Sequence, residues 1–234
     1  MEHKEKEIEE LWSYFFKKPR NNYNPYMLRL LDFPDYILFK KKMMDEYKGN
    51  WREFFGNENP IFLEIGTGSG NFTKEIAKRN PDQNFIGLEL RFKRLCLAAS
   101  KCQKENLENV VFLRRRGEEL LEFLGKDELS GLYINFPDPW EGNEKNRMIQ
   151  EKLFLALDSI LKVGGILFFK TDHDQYYQDV LDLVKNLENY QVIYHTADLH
   201  QSEKAENNIK TEFEHLFLHK HNKNINYIEI QKVK

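Results

Sequence analysis

The 234 residues carry 35 Lys+Arg against 38 Asp+Glu, a net charge of -3, with 41% hydrophobic side chains, 12 Gly and 7 Pro. A chain of this size buries enough surface to fold without a metal or disulfide staple, and its composition excludes collagen-like, mucin-like and disulfide-scaffold proteins. No run approaches the ~20 apolar residues that cross a bilayer, and MEHKEKEIEE at the start lacks the apolar stretch of a secretory signal, so a cytoplasmic protein with no membrane partner is expected.

Residues 1–59 read as an N-terminal extension that is helical and aromatic. Within it, residues 11–52 hold nine Lys+Arg against four Asp+Glu, together with 11 aromatic side chains. Lys17, Lys18 and Arg20 open this basic stretch, and Lys40, Lys41 and Lys42 continue it. Two readings stand: a Lys-rich helix over an aromatic mini-core, or a segment that sets cations on RNA phosphates and rings on bases.

From Pro60 the pattern becomes short apolar runs alternating with helical periodicity, which predicts a second unit over residues 60–234. Strands are expected at 61–65 (IFLEI), 85–90 (FIGLEL), 110–114 (VVFLR), 132–136 (LYINF), 166–171 (ILFFKT), 191–196 and 211–218. Helices are expected over 71–79, around Leu95 to Cys102, around Leu153 to Leu161 and over 174–187, with an exposed loop from Asp198 to Lys210. Cys96 and Cys102 lie in the second of these helices and read as buried small hydrophobes, since their spacing suits neither a zinc pair nor a short disulfide. The predicted fold class is α/β: a doubly wound, mostly parallel seven-stranded sheet, preceded by the extension. Such a sheet binds ligands at the carboxyl ends of its central strands, where the winding reverses.

After the first of these strands comes Glu64-Ile65-Gly66-Thr67-Gly68-Ser69-Gly70. Three alternate glycines allow a sharp turn and close backbone approach to a ligand. The spacing is not that of dinucleotide folds, and no Lys-Ser/Thr follows, which removes a nucleotide-triphosphate loop. Glu64 ends the first strand and Glu89 ends the second, where a carboxylate can accept from both ribose hydroxyls. An anion at Glu64 repels a pyrophosphate and attracts an ammonium and a sulfonium, so the charge pattern favours S-adenosylmethionine over NAD as cofactor. After the fourth strand, Asn135-Phe136-Pro137-Asp138-Pro139-Trp140 places an aspartate between two prolines on a stiff loop, and Asp138 is the catalytic candidate.

Glu64-Ile65-Gly66-x-Gly68-x-Gly70, Gly87-Leu88-Glu89, Phe136-Pro137-Asp138-Pro139-Trp140, Thr171-Asp172 and Thr211-x-Phe213-Glu214, in this order, resemble the tRNA (guanine-N7)-methyltransferases over residues 60 to about 218. The resemblance implies a class I, S-adenosylmethionine-dependent fold. It implies that Glu64, Gly66, Gly68, Gly70, Glu89 and Asp138 bind the cofactor, with Arg116 and Glu118 on the adenine side after the third strand. Asp172, Thr211, Glu212, Phe213 and Glu214 would line the substrate side, and the partner would be tRNA, methylated at its variable-region guanine. The chain departs from the family pattern at Glu141-Gly142, where Pro-Lys is usual, at Glu212, where Lys or Arg is usual, and at Arg116, where Asp or Asn is usual. These departures keep two alternatives in view: a methyltransferase for another RNA or a small molecule, and an RNA-binding module with a vestigial pocket. His215, His219 and His221 come without cysteines or a tight acidic set, so no metal is expected. The chain is compatible with a monomer or a homodimer.

Overall fold

The computed structural model describes residues 2–15, 24–215 and 223–234. In chain order the elements that build the fold are helix α1 (Glu2–Phe15), the turn α2 (Pro25–Leu28), the two-residue strand β1 (Ile37–Leu38), α3 (Lys41–Glu46), α4 (Trp51–Phe55), β2 (Ile61–Ile65), α5 (Asn71–Arg79), β3 (Asn84–Leu88), α6 (Phe92–Lys104), β4 (Val110–Leu113), α7 (Leu120–Phe123), β5 (Leu129–Asn135), α8 (Glu151–Ile160), β6 (Leu161–Thr171), α9 (Asp174–Val184), β7 (Tyr190–Thr196) and β8 (Asn226–Lys232). The strands form one sheet of order β1-β4-β3-β2-β5-β6-β8-β7, parallel except where β8 runs against β6 and β7. From β2 the chain winds outward through β3 and β4, then returns to place β5 on the other side of β2. The reversal therefore lies between the carboxyl ends of β2 and β5, which is where this architecture opens a crevice.

Strand periodicity divides the core into two layers. On β3, Ile86 and Leu88 join α7, α8 and α9 through Phe123, Phe154, Leu157, Tyr176 and Val180. Phe85 faces the other layer, with Phe72 and Ile76 of α5 and Leu95, Cys96, Ala99 and Cys102 of α6. Both cysteines are buried and unbridged, and burial raises their thiol pKa to about 11 for Cys96 and about 12 for Cys102.

The expected seven strands are eight, because Ile37 and Leu38 add a parallel edge to β4. Phe112 N–H donates to Tyr36 O at 2.8 Å and Arg114 N–H to Leu38 O at 3.0 Å. Leu11, Met27, Leu30, Phe33 and Ile37 then bury against the α6 layer. Trp51 is fully buried and donates from Nε1 to Phe123 O at 2.8 Å. An indole of this kind buries about 150–250 Å², or roughly 4–6 kcal/mol of gross apolar stabilisation before entropy. Arg115, 1% exposed, fastens the segment electrostatically, donating to Glu122 at 2.9 Å and pairing with Asp45.

One expected strand is corrected. Residues 212–215 are helical, and the last strand is β8. The cause is local: Thr211 Oγ1 accepts from Glu214 N–H at 3.0 Å while a Glu214 carboxylate oxygen accepts from Thr211 N–H at 3.2 Å. This reciprocal capping box starts a helix where a strand is expected over 211–218. Residues 216–218, like Lys17, Lys18, Arg20, His219 and His221, lie outside the described residues. Of the second basic run, Lys40 pairs with Glu10 at 3.7 Å and Lys41 with Glu119 and Glu122 at 3.1 Å each. Among the described residues no helix is long and apolar enough to cross a membrane.

Candidate active site

Two adjoining hollows open at the carboxyl ends of β2, β3 and β5. One, of about 570 Å³, is walled by Leu88, Glu89, Arg116, Glu118, Pro137 and Asp138, among others. The other, of about 510 Å³, is walled by Glu64, Thr67, Gly68, Ser69, Thr211, Glu212 and Phe213, among others. Gly66, Arg94, Asn135 and Phe136 line both, so the two form a continuous trough.

Glu64 is the penultimate residue of β2 and is 5% exposed. Asn135 Nδ2 donates to its Oε1 at 2.8 Å and the Thr73 hydroxyl donates to its Oε2. Burial raises its pKa, opposed by the hydrogen bonds from Thr73, Asn135 and Thr67 and by the charge of Lys170. A buried carboxylate pushed in this direction gains from a cation placed beside it. Glu89 stands one residue past β3, where its Oε1 accepts the backbone N–H groups of Leu90 and Arg91 at 2.8 and 2.9 Å. Its Oε2 lies 3.8 Å from Arg94 Nη1.

The three glycines do different work. Each has positive φ, +78° at Gly66, +58° at Gly68 and +76° at Gly70. A Cβ on Gly66 would meet nothing within 4 Å, so its backbone faces the open trough. A Cβ on Gly70 would sit 2.5 Å from Ala98 Cβ, so this glycine serves the packing of α5 on α6, and Gly70 lines neither hollow.

Asp138 is exposed on the trough wall and makes no hydrogen bond among the described residues. Its loop is held from several sides. Phe136 and Trp140, flanking the Pro-Asp-Pro core, both adopt left-handed backbone at φ 51° and 47°. A non-glycine residue held there costs of order 1–3 kcal/mol and persists only where its surroundings enforce it. The surroundings here are Phe136 N–H to Lys170 O at 2.9 Å and Arg147, which donates from Nε to Pro139 O at 2.7 Å. Arg147 is anchored in turn on Asp179 at 2.6 Å and over the Tyr176 ring at 4.6 Å.

The departures from the family pattern have partners. Glu141 accepts from His173 Nε2 at 3.0 Å, and because His173 Nδ1 accepts from Tyr176 N–H, the ring hydrogen sits on Nε2. Glu212 accepts from the Ser69 hydroxyl at 2.6 Å, and Lys101 donates to Ser69 O at 2.8 Å. This clasps the segment carrying Thr211, Glu212 and Phe213 onto the glycine turn. Arg116 and Glu118 are exposed on the trough wall, whereas their neighbours are structural: Arg115 is buried, and Arg114 stacks between Phe15 and Phe92 at 4.8 and 4.5 Å. Asp172 follows β6 and lines neither hollow. Glu214 is fully buried, accepting from His200 and Asn208 at 2.6 Å each and pairing with Lys170 at 3.5 Å. Burial alone would raise its pKa, but Lys170, His200, Asn208 and the Thr211 N–H lower it overall.

Sequence reasoning passed over Arg94, Asn135, Lys170 and Arg147. Asn135, directly before the Phe-Pro-Asp-Pro-Trp run, carried a signal in that position; Lys170, one cation inside the apolar run ILFFKT, carried another.

Residues 58–227 match a protein family described as "Putative methyltransferase". A tRNA (guanine-N(7)-)-methyltransferase of Enterococcus faecalis is 37% identical over 189 residues, covering 79% of this chain and 85% of that protein. The chain belongs to the tRNA (guanine-N7)-methyltransferase family. A bifunctional glycosyltransferase/methyltransferase of Fusobacterium nucleatum is 66% identical over 227 residues, covering 97% of this chain but only 36% of that protein, so the chain spans about a third of that relative's length. Among solved structures, the 16S rRNA methyltransferase KamB superposes with a TM-score of 0.59 at 12% identity, covering 79% of this chain and 92% of that one, which shows the fold. S-adenosylmethionine is the methyl donor of the family, and the trough fits it. Gly66 leaves room that a Cβ would fill, Glu89 keeps one carboxylate oxygen clear of the backbone, and Glu64 supplies a buried anion for a cationic ligand.

Proposed function

We propose that this methyltransferase transfers the methyl group of S-adenosylmethionine to N7 of the variable-region guanine of tRNA. The observation that carries the proposal is Asp138, an unpaired carboxylate on a clamped loop in the wall shared with Glu89. Glu89 would hold the ribose hydroxyls, the Glu64 region the cationic methionine end, and Arg116 and Glu118 would border the adenine. The cofactor supplies an electrophilic methyl on a sulfonium.

Guanine N7 is a lone-pair nucleophile without a proton at neutral pH, so the protein needs no base to activate it. What the chain must supply is alignment and charge. Near-attack geometry brings the reacting atoms to roughly 3–3.5 Å. The purine becomes cationic as it is methylated, and a fixed anion at Asp138 stabilises that charge while accepting from N1–H or N2–H of the base. Arg91, Lys93, Arg94 and Arg116 are exposed around the trough and offer phosphate contacts that the net charge of -3 does not. Thr211, Glu212 and Phe213 border the substrate end of the trough, with Glu214 behind them as a positioning group.

The test is incubation of the purified chain with labelled S-adenosylmethionine and unmodified tRNA, followed by nucleoside digestion. Label in 7-methylguanosine is expected, and Asp138→Ala should reduce transfer by at least about 100-fold with cofactor affinity within about tenfold. Label in no nucleoside rejects the proposal. A second reading, another RNA or a small-molecule acceptor, draws on the acids Glu141 and Glu212 at the substrate end; label in the small-molecule fraction would favour it.

A further inference from the structure

A third hollow, of about 260 Å³, lies on the sheet face that carries Glu64 and meets the trough at Phe72 and Asn135. Tyr133 and Asn135 of β5, Phe168 and Lys170 of β6, and Tyr227 and Glu229 of β8 line it, and parts of the 199–209 segment close it. The register sets Tyr133 beside Phe168 and Phe168 beside Glu229. The rings of Tyr133 and Phe168 stack at 4.5 Å with an 11° interplanar angle, and Phe72 lies 5.1 Å from Tyr133.

Glu229 is 7% exposed, and its Oε1 accepts from Lys204 Nζ and from the Tyr227 hydroxyl, both at 2.8 Å. Its Oε2 accepts no hydrogen bond among the described residues. That oxygen is not sealed from solvent, so a ligand N–H entering the hollow can take the place of water on it. The walls also hold Lys170 and Lys204, which disfavour a cation. A volume just under the roughly 300–1,000 Å³ of drug-sized sites admits one base and no dinucleotide.

We propose that this hollow binds a guanine ring, at a site separate from the methyl-transfer trough. Rings at the wall offer contact to a flat heterocycle. The free oxygen of Glu229 is available to donors, and guanine alone among the common bases presents N1–H beside N2–H. Its O6 is an acceptor for Lys204 or the Asn207 amide. Adenine and cytosine place an unprotonated ring nitrogen at that edge, and uracil flanks its single N–H with two acceptors. The proposal does not depend on which molecule accepts the methyl group. The ring can belong to an RNA strand or to a free nucleotide.

Calorimetry on the full chain with guanosine and adenosine tests it. Saturable guanosine binding is expected, with adenosine at least about tenfold weaker. Glu229→Gln should weaken guanosine by roughly tenfold to a hundredfold, the range of a hydrogen bond to a charged group, with S-adenosylhomocysteine affinity unchanged as the control for folding. Lys204→Met, at a half-exposed position, should weaken guanosine in the same direction, and the loss caused by Glu229→Gln should persist in an Asp138→Ala background. A single-stranded pentanucleotide with one central guanine bound more tightly than guanosine 5′-phosphate assigns the ring to a strand, and the reverse order to a free nucleotide. Equal affinity for both nucleosides, or guanosine binding that survives Glu229→Gln and fails in Asp138→Ala, overturns the proposal.

Discussion

Replacing Gly66 and Gly70 by alanine, one at a time, separates a ligand-facing glycine from a packing glycine. Both sit at φ near +80°, where an L-residue costs about 1–2 kcal/mol. At Gly70 the added Cβ falls 2.5 Å from Ala98 Cβ and 2.9 Å from its Cα, a backbone atom of α6 that cannot step aside. Overpacking of that kind adds about 1–3 kcal/mol, for a total of about 2–5 kcal/mol. At Gly66 the Cβ meets nothing within 4 Å, so only the backbone cost remains. With an unfolding entropy of ~2.1 cal/mol/K per residue, a chain of this length changes Tm by about 2 °C per kcal/mol. Gly70→Ala should therefore lower Tm by about 4–10 °C and Gly66→Ala by about 2–4 °C. Binding should reverse the order: the methyl at 66 stands in the trough and cuts S-adenosylhomocysteine affinity at least about tenfold, while folded Gly70→Ala stays within about threefold. Scanning calorimetry and titration calorimetry read the two quantities. Equal losses of Tm would refute the packing argument, and wild-type affinity in Gly66→Ala would refute the placement of Gly66 against the ligand.

Two further substitutions probe the buried charges. Glu64 has its folded pKa raised by burial, so its contribution to stability is present below its ordinary 4.5 and lost as pH rises through the folded value. Glu64→Gln should accordingly raise the Tm of the free protein at pH 7 to 8, with the gain vanishing toward pH 4, and should weaken S-adenosylhomocysteine binding; a lowered Tm at pH 8 would contradict the burial argument. Lys170, 5% exposed, is the cation facing fully buried Glu214. Lys170→Met strands that carboxylate and should cost about 3–5 kcal/mol, or roughly 6–10 °C in Tm. Lys170→Met/Glu214→Gln should recover part of the loss, and a double variant no better than the single would show the two charges to be uncoupled. Glu214, whose folded pKa is lowered, adds stability above 4.5 that drains away as pH falls through its folded value, so the Lys170→Met deficit should shrink in acid.

Apolar runs and turn chemistry made much of the sheet readable. IFLEI, FIGLEL, VVFLR and LYINF are mostly apolar because their strands are covered on both faces, and the glycine turn marks where β2 hands over to α5. Thr211 to Glu214 misled because a strand is expected over 211–218 despite a capping box visible in the same letters, and the strand so displaced is NYIEIQK at β8. Ile37 and Leu38 form too short a run to announce an edge strand. Spacing placed Glu64, Glu89 and Asp138 at strand ends, since strand ends are set by pattern. It gave equal weight to three glycines whose roles divide on the position of Ala98, a neighbour 28 residues beyond Gly70 that no local pattern reveals. The same holds for Arg115, whose carboxylate partner Asp45 comes from another part of the chain.

That guanidinium bears on where an autonomous unit could begin. Asp45 answers Arg115 from one side, Ile37 and Leu38 cap the outer edge of β4, and Met27, Leu30 and Phe33 cover α6. A fragment trimmed to start at Pro60 would expose an unpaired strand rim, an oily helix flank and a half-compensated cation at once. Those are the ingredients of precipitation rather than of a minimal enzyme, so the leader and the catalytic body should melt in one transition, and expression trials gain nothing by removing it.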